Sequence, residues 1–447
     1  MAVSKREATT ILTALSAGVT PRAGLRHIAV GRLKEVTALK QDLNQIVAGG
    51  ATVRFVIGRY GSGKSFLLQL IRTYALESKF VVADVDFSPE RRLFGSGDEA
   101  LATYRELVRN LSTQTRPDGN ALPTIIDKWI SGIQSKVAVE QQYQPGTPEF
   151  TQAVKLKIIQ TLNSMEEMVH GFDFGQVINA YYQGQIEGDD VRKSNAIRWL
   201  RGEFANKTEA YAALKVRAII DSDNYYDYLK ILARFVRDVG YSGLVVCFDE
   251  AAYLYKISNS ISRKNNYEAI LTIVNDCLQG KAGSIGFIFG GTPEFLEDQR
   301  RGLFSYEALR SRLSSNRFAT AEMQDLSGPV LSLPSLTNEE IFVLLQKIRE
   351  IYNGTVPVQL QVNDAAIHSF MEDTLRRIGA KEFATPRELI RDFVSLLNLL
   401  VQYPDKSWKE IVGSLTPAAV NPDPTAMTDK EQLEADPLDR FKDFKVN

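Results

Sequence analysis

Apolar residues in this chain gather in two kinds of run. Short solid blocks recur at "VRFVIG" (53–58), "KFVVADVDF" (79–87), "GLVVCFDE" (243–250), "SIGFIFGG" (284–291) and "GPVLSL" (328–333). Blocks this short, rich in Val, Ile and Phe, predict strands buried on both faces, as in a parallel sheet. Other stretches carry apolar residues at i, i+3 and i+4, the spacing of a helix with one buried face. They include "YRELVRNLSTQ", "TIIDKWISGIQSKV", "FGQVINAYYQGQI" and "YDYLKILARFVRDV". Strands alternating with helices predict an α/β fold with a doubly wound sheet. Some 155 residues separate the second and third blocks, far more than one crossover requires. That excess predicts a helical insertion at about 100–238 within a core spanning 51–335.

The first block runs directly into Gly58-Arg59-Tyr60-Gly61-Ser62-Gly63-Lys64-Ser65, followed by a helical pattern beginning at Phe66. This is G-x-x-x-x-G-K-[ST] in its expected strand-to-helix context, a phosphate-binding loop. Its glycines let backbone N–H groups wrap an anion, and the helix N-terminus adds partial positive charge. Lys64 is expected at the β- and γ-phosphates of a nucleotide, and the Ser65 hydroxyl at Mg²⁺. The third block ends in Asp249-Glu250. A carboxylate at a strand's C-terminal end, where open α/β sheets place their sites, suits Asp249 to the metal and Glu250 to activating the attacking water. The bland alternative is that Asp-Glu caps the next helix. Thr292 closes the fourth block and is read evenly as a γ-phosphate sensor or as a helix cap before Pro293. Thr337 and Glu340 stand at capping-box spacing.

Composition narrows the classes. A chain of 447 residues with net charge −1 and 44% apolar residues is globular, with two to three domains' worth of core. No apolar run reaches the roughly 18–20 residues of a membrane span, and "MAVSKREATT" leads into an amphipathic pattern rather than a signal-peptide core, so the expected location is cytoplasmic, without a membrane partner. Cys247 and Cys277 sit in apolar contexts and predict buried thiols. His27, His170 and His368 have no spacing partners, which argues against zinc and against a Ser/His hydrolase.

With these motifs in place, the chain resembles AAA+ ATPases of the initiator-like branch. "AVGRLKEVTALKQDL" (29–43) resembles the segment that packs against adenine, with Val30, Gly31 and Arg32 matching its signature. Residues 1–50 then form an N-terminal helical segment and base-binding linker. In "FATPRELIRDFVSLL", Arg387 matches the arginine by which a helical lid, here 336–416, reaches the nucleotide. "EALRSRLSSNRF" (307–318) resembles the box carrying a trans-acting arginine finger, with Arg312 the first choice and Arg310 the second. Over most of its length, through "GLRHIAVGR", "ADVDFSPERRLFG", "IRWLRGE", "FDEAAYLYK" and "GTPEFLEDQRRGLFSYEALRSRL", the chain also resembles the ATP-binding proteins of bacterial BREX-type phage-defence loci. The resemblance implies ATP and Mg²⁺ as cofactors and a multi-protein anti-phage system as setting. The resulting expectation is an oligomeric ATPase acting on or near DNA with other defence-system proteins. The alternative is a nucleotide-gated scaffold that recruits partners with little turnover.

Two further segments bear on partners and on the end of the chain. In 189–217, Arg192, Lys193, Arg198, Arg201, Lys207 and Lys215 lie near Trp199 and Tyr211, a mixture suited to nucleic acid. Interspersed Asp189, Asp190, Glu203 and Glu209 favour an ordinary solvated surface instead. Residues 417–447, rich in Pro, Asp and Ala, predict a flexible tail, and little room remains for the winged-helix domain that often follows the lid in initiator-like proteins.

Overall fold

The computed structural model describes residues 3–163, 168–316, 318, 325–357, 360–377 and 385–413. The tail expected at 417–447 lies outside the described residues. Helix α1 (Lys5–Ser16) starts on a capping box between Ser4 and Glu7, and α2 (Leu33–Val47) leads into β1 (Ala51–Ile57). The glycine-rich loop joins β1 to α3 (Lys64–Glu77), which is followed by β2 (Val81–Asp86). Seven helices then intervene: α4 (Glu99–Arg109), α5 (Leu122–Gln141), α6 (Pro148–Asn163), α7 (Gly171–Glu187), α8 (Asp190–Leu200), α9 (Lys207–Leu214) and α10 (Tyr225–Asp238). The core resumes with β3 (Leu244–Asp249), α11 (Ala252–Tyr255), α12 (Ser260–Leu278) and β4 (Ile285–Gly291). After α13 (Pro293–Glu297), α14 (Glu307–Leu313) and β5 (Val330–Ser332), the described chain ends in α15 (Asn338–Asn353), α16 (Asp364–Arg377), α17 (Pro386–Gln402) and α18 (Trp408–Gly413).

All five predicted blocks form strands of one parallel sheet in the order β2-β3-β4-β1-β5. Successive side chains point to opposite faces, so the solid apolar blocks feed two cores. On one face Val56, Val82, Val245, Cys247 and Ile288 pack against α2 and α3. On the other, Phe55, Phe289 and Phe248 of β1, β4 and β3 and Phe87, the residue after β2, stack in a row with centroid separations of 5.0, 4.8 and 5.1 Å. Helices of the long insertion join that second face in one continuous apolar cluster. One polar exception inside β1 is neutralised: buried Arg54 makes a two-pronged ion pair with Asp42, at 2.6 and 2.7 Å. Cys247 is buried and Cys277 half-buried, both free thiols, and burial pushes the Cys277 thiol up to about 12.

Two compact units emerge. Of the described residues, the first holds those up to 357 together with 385–394, taking in the sheet, the insertion and α15; the second holds 360–377 and 395–413. In the second unit, Phe370 of α16 meets Trp408 of α18 edge-on at 6.3 Å. The segment expected as a lid is therefore divided: α15 and the start of α17 belong to the first unit, α16 and α18 to the second. Among the described residues no helix is long and apolar enough to cross a membrane.

Candidate nucleotide site

The site grows from the C-terminal edge of the sheet. Strand β1 delivers the loop of residues 58–63, and β4 lies between β1 and β3. The Asp249 end of β3 thus stands two strand spacings from the loop, roughly 10 Å, with Gly290 and Gly291 of β4 as the floor between. That floor must be bare, since a Cβ at Gly290 would stand 2.5 Å from Asp249 Oδ1. A cleft of about 440 Å³ opens above it, within the range of small-molecule sites.

The loop turns on its glycines. Gly61 and Gly63 adopt φ of +77° and +91°, left-handed values that let the chain turn before α3, and a Cβ at Gly63 would project into open space. Gly58 has no room for a side chain: a Cβ there would lie 2.3 Å from Ser62 Oγ and 2.7 Å from the Leu333 carbonyl oxygen. Lys64 Nζ donates to the Gly58 and Arg59 carbonyls at 2.9 and 3.1 Å. Burial lowers the Lys64 pKa, against the pull of Asp249, Glu250 and Glu294. Its charge is therefore partly stripped of water and held by neutral acceptors. Ser62 Oγ is buried with no hydrogen-bond partner among the described residues. A partly desolvated ammonium and an orphaned hydroxyl beside an open left-handed turn fit a polyphosphate. For a metal, Ser65 and Asp249 border the same cleft with hard oxygen donors, the set that Mg²⁺ takes together with retained waters.

Asp249 Oδ1 accepts the Glu250 backbone N–H at 2.8 Å. Glu250 stands at φ +56°, a left-handed conformation that costs a non-glycine residue about 1–2 kcal/mol. The next helix starts from Ala251, and no side chain caps it. The Glu250 side chain is solvent-accessible at the cleft, and partial loss of water around its carboxyl, then the neighbouring Asp249 charge, raises its pKa, with Lys64 opposing. A third carboxylate, Asp86 at the end of β2, pairs in register with Asp249 and borders the cleft. Its pKa is raised by burial, Asp249 and Asp84. Sequence reasoning did not single out Asp86, although "VVADVD" ends on a carboxylate just as "LVVCFD" does.

Thr292 also borders the cleft, while its hydroxyl accepts from Phe295 N at 3.4 Å and caps α13. Val30 and Phe66 line the cleft; Gly31, at φ +69°, lies beside Glu340, whose Oε1 a Cβ would meet at 2.1 Å. Arg32 borders the cleft and holds the loop. Its buried guanidinium donates to the Ser62 carbonyl at 2.9 Å and the Pro334 carbonyl at 2.7 Å, with Glu35 at 3.5 Å. Arg387 borders the cleft and donates to Tyr60 Oη at 3.0 Å and to the Gly18 carbonyl. Thr385, just before α17, touches the loop: its Cβ is 2.9 Å from where a Cβ on Gly61 would lie. Arg312 is not part of the cleft lining; it donates to Asn275 Oδ1 at 2.8 Å and the Ala308 carbonyl at 2.7 Å, while Arg310 pairs with Glu307.

In the basic stretch of 189–217, Arg192 pairs with Glu187 and Asp189, and Arg198 with Glu209. Trp199 is buried with its indole N–H on the Ala218 carbonyl, so its ring offers no stacking surface.

Against this geometry, a family model described as BREX system ATP-binding protein BrxC/D matches residues 3–416. Among curated proteins none matches the chain. The matched span is nearly the whole chain, and the chain belongs to that family.

Proposed function

We propose that this member of the BREX ATP-binding family is an AAA+-like ATPase that hydrolyses ATP in the cleft described above. On this reading it works as an oligomer with other proteins of the defence system, on or near DNA. Family membership supplies ATP binding and the phage-defence setting. The hydrolytic reading is carried by one observation: Lys64, Ser65, Asp249, Glu250 and Thr292, which come from three separate strand ends, border a single cleft.

The proposed roles follow from that arrangement. Loop N–H groups and Lys64 hold the β- and γ-phosphates and take up charge as the bond to the leaving phosphate lengthens. Ser65 and Asp249 would hold Mg²⁺, which when bound supplies further charge neutralisation. Glu250 accepts a proton from the attacking water, and its raised pKa brings it nearer to working pH, as a general base requires. Thr292 orients that water or the γ-phosphate. Arg32 acts on the nucleotide indirectly, by fixing the loop carbonyl at Ser62. Arg312 would complete a neighbouring subunit's site after leaving Asn275.

A second reading, the nucleotide-gated scaffold, is favoured by a different observation. Gly61 abuts Thr385, and Arg387 ties Tyr60 to Gly18, so the phosphate loop is joined directly to α17 and to the segment after α1. Binding alone then biases those elements.

The test is ATP turnover by the purified protein, alone and with single- or double-stranded DNA, with Glu250→Gln as control and molar mass recorded by light scattering. Turnover abolished by Glu250→Gln is the expected result. Binding without turnover in every condition would transfer the assignment to the scaffold.

A further inference from the structure

Four cationic side chains border the cleft: Arg22, Arg32, Lys64 and Arg387. Three are engaged. Arg32 holds the Ser62 and Pro334 carbonyls, Lys64 the Gly58 and Arg59 carbonyls, and Arg387 the Tyr60 hydroxyl and Gly18 carbonyl. Arg22 alone among them makes no hydrogen bond or ion pair with the described residues. We propose that Arg22 is a nucleotide-contacting residue whose guanidinium binds the polyphosphate of the ligand; this rests on the nucleotide-site reading above.

The segment carrying Arg22 is anchored on both sides. Before it, Gly18 accepts from Arg387 and Pro21 is buried. After it, Leu25 is buried against the α3 side of the sheet, and Arg26 pairs with Glu77 at the end of α3. Gly24 turns the chain at φ +72°, where a Cβ would meet Ile11 Cδ1 at 2.6 Å. The root of Arg22 is thus fixed while its head is exposed at the cleft. Asp86 lines the same cleft as Arg22, so the guanidinium and that carboxylate share one cavity. A guanidinium with its donors unassigned is suited to phosphate oxygens, which it can bind through two parallel hydrogen bonds. The sequence offered no signal for it, because "TPRAG" matches none of the motifs and only the path of the chain after α1 brings it to the cleft.

The experiment is equilibrium titration of the full chain with Mg²⁺ and ATP, ADP or adenosine, for wild type, Arg22→Ala, Arg22→Lys, Lys64→Ala, Asp86→Asn and the Arg22→Ala/Asp86→Asn pair. Losing a hydrogen bond between charged groups predicts ATP binding weaker by about 10- to 100-fold in Arg22→Ala, an intermediate loss in Arg22→Lys, and adenosine binding unchanged. Wild-type ATP affinity in Arg22→Ala, or an equal loss with adenosine, overturns the proposal. Disappearance of the Arg22→Ala penalty in the Asp86→Asn background also overturns it, because Arg22 would then act through that carboxylate. Lys64→Ala separates the two levels: if it binds ATP normally the nucleotide-site reading itself fails, whereas if it loses ATP and Arg22→Ala does not, only the role of Arg22 fails.

Discussion

Arg32→Ala separates two roles that the same residue can play in this site. If Arg32 only contacted a bound base, its removal would leave the ligand-free protein as stable as before. In the structure its guanidinium is buried at 6% exposure and serves two backbone carbonyls, Ser62 and Pro334, with Glu35 beside it. Truncation leaves two buried acceptors without donors and the Glu35 carboxylate without a counter-charge. Each charged hydrogen bond is worth about 1.5–3 kcal/mol, and breaking a buried pair from one side costs about 3–5 kcal/mol. We take about 3–5 kcal/mol for the whole, since these contributions overlap. Unfolding entropy near 2.1 cal/mol/K per residue, over a unit of roughly 370 residues, converts this to a fall in melting temperature of about 4–6 °C. Calorimetry without nucleotide reads it directly, and hydrogen exchange at the amides of Ser62 to Lys64 should rise in the same variant. An unchanged melting temperature with weakened ATP binding would refute the clamp and return Arg32 to the base.

Four other outcomes follow from the same geometry. Glu250→Gln should stabilise the ligand-free protein at neutral pH: the folded-state pKa is raised, so the ionised carboxylate carries a penalty that is absent below the ordinary carboxylate value and grows as pH rises through the folded one. Denaturation profiles of wild type and variant should therefore converge in acid, and a gap that persists there contradicts the cause given. Glu250→Gly should be more stable than Glu250→Ala by about 1 kcal/mol, because only glycine takes the left-handed backbone without penalty, while both lose turnover; equal melting temperatures would remove the strain. Gly61→Ala should cost about 1–3 kcal/mol, combining a left-handed φ with crowding against Thr385, and thermal melting with nucleotide titration measures it. Mixing Arg312→Ala with Lys64→Ala subunits should recover part of the ATP turnover if the finger acts across an interface; none at any ratio argues against a trans role.

The strands, the glycine-rich turn before α3 and the capping box at Thr337 and Glu340 were legible because each is written within a few consecutive residues. A parallel strand buried on both faces needs an unbroken apolar block, and "LVVCFD" or "IGFIFGG" can hardly be anything else between polar segments. The loop needs glycine where the backbone turns left-handed, and Gly61 and Gly63 do turn so. That Cys247 packs into a core was likewise contained in its neighbours. None of this specified which strand ends meet. The insertion of β4 between β1 and β3 sets Asp249 and Glu250 across a glycine floor from Lys64, and the pairing of β2 with β3 adds Asp86. Such pairings join residues far apart in sequence, so no local pattern encodes them. Side-chain direction was equally hidden: Arg32 and Arg387 matched motifs, yet what their donors hold was decided by carbonyls and a hydroxyl brought in from other segments, and Arg312 found its partner on α12. The sequence by itself determined the strands of the sheet and the glycine-rich turn that joins β1 to α3. Only the tertiary structure decided which of the cations bordering the cleft are already engaged, and that Arg22 has no hydrogen-bond or ion-pair partner among the described residues, because such partners are set by the packing of distant elements.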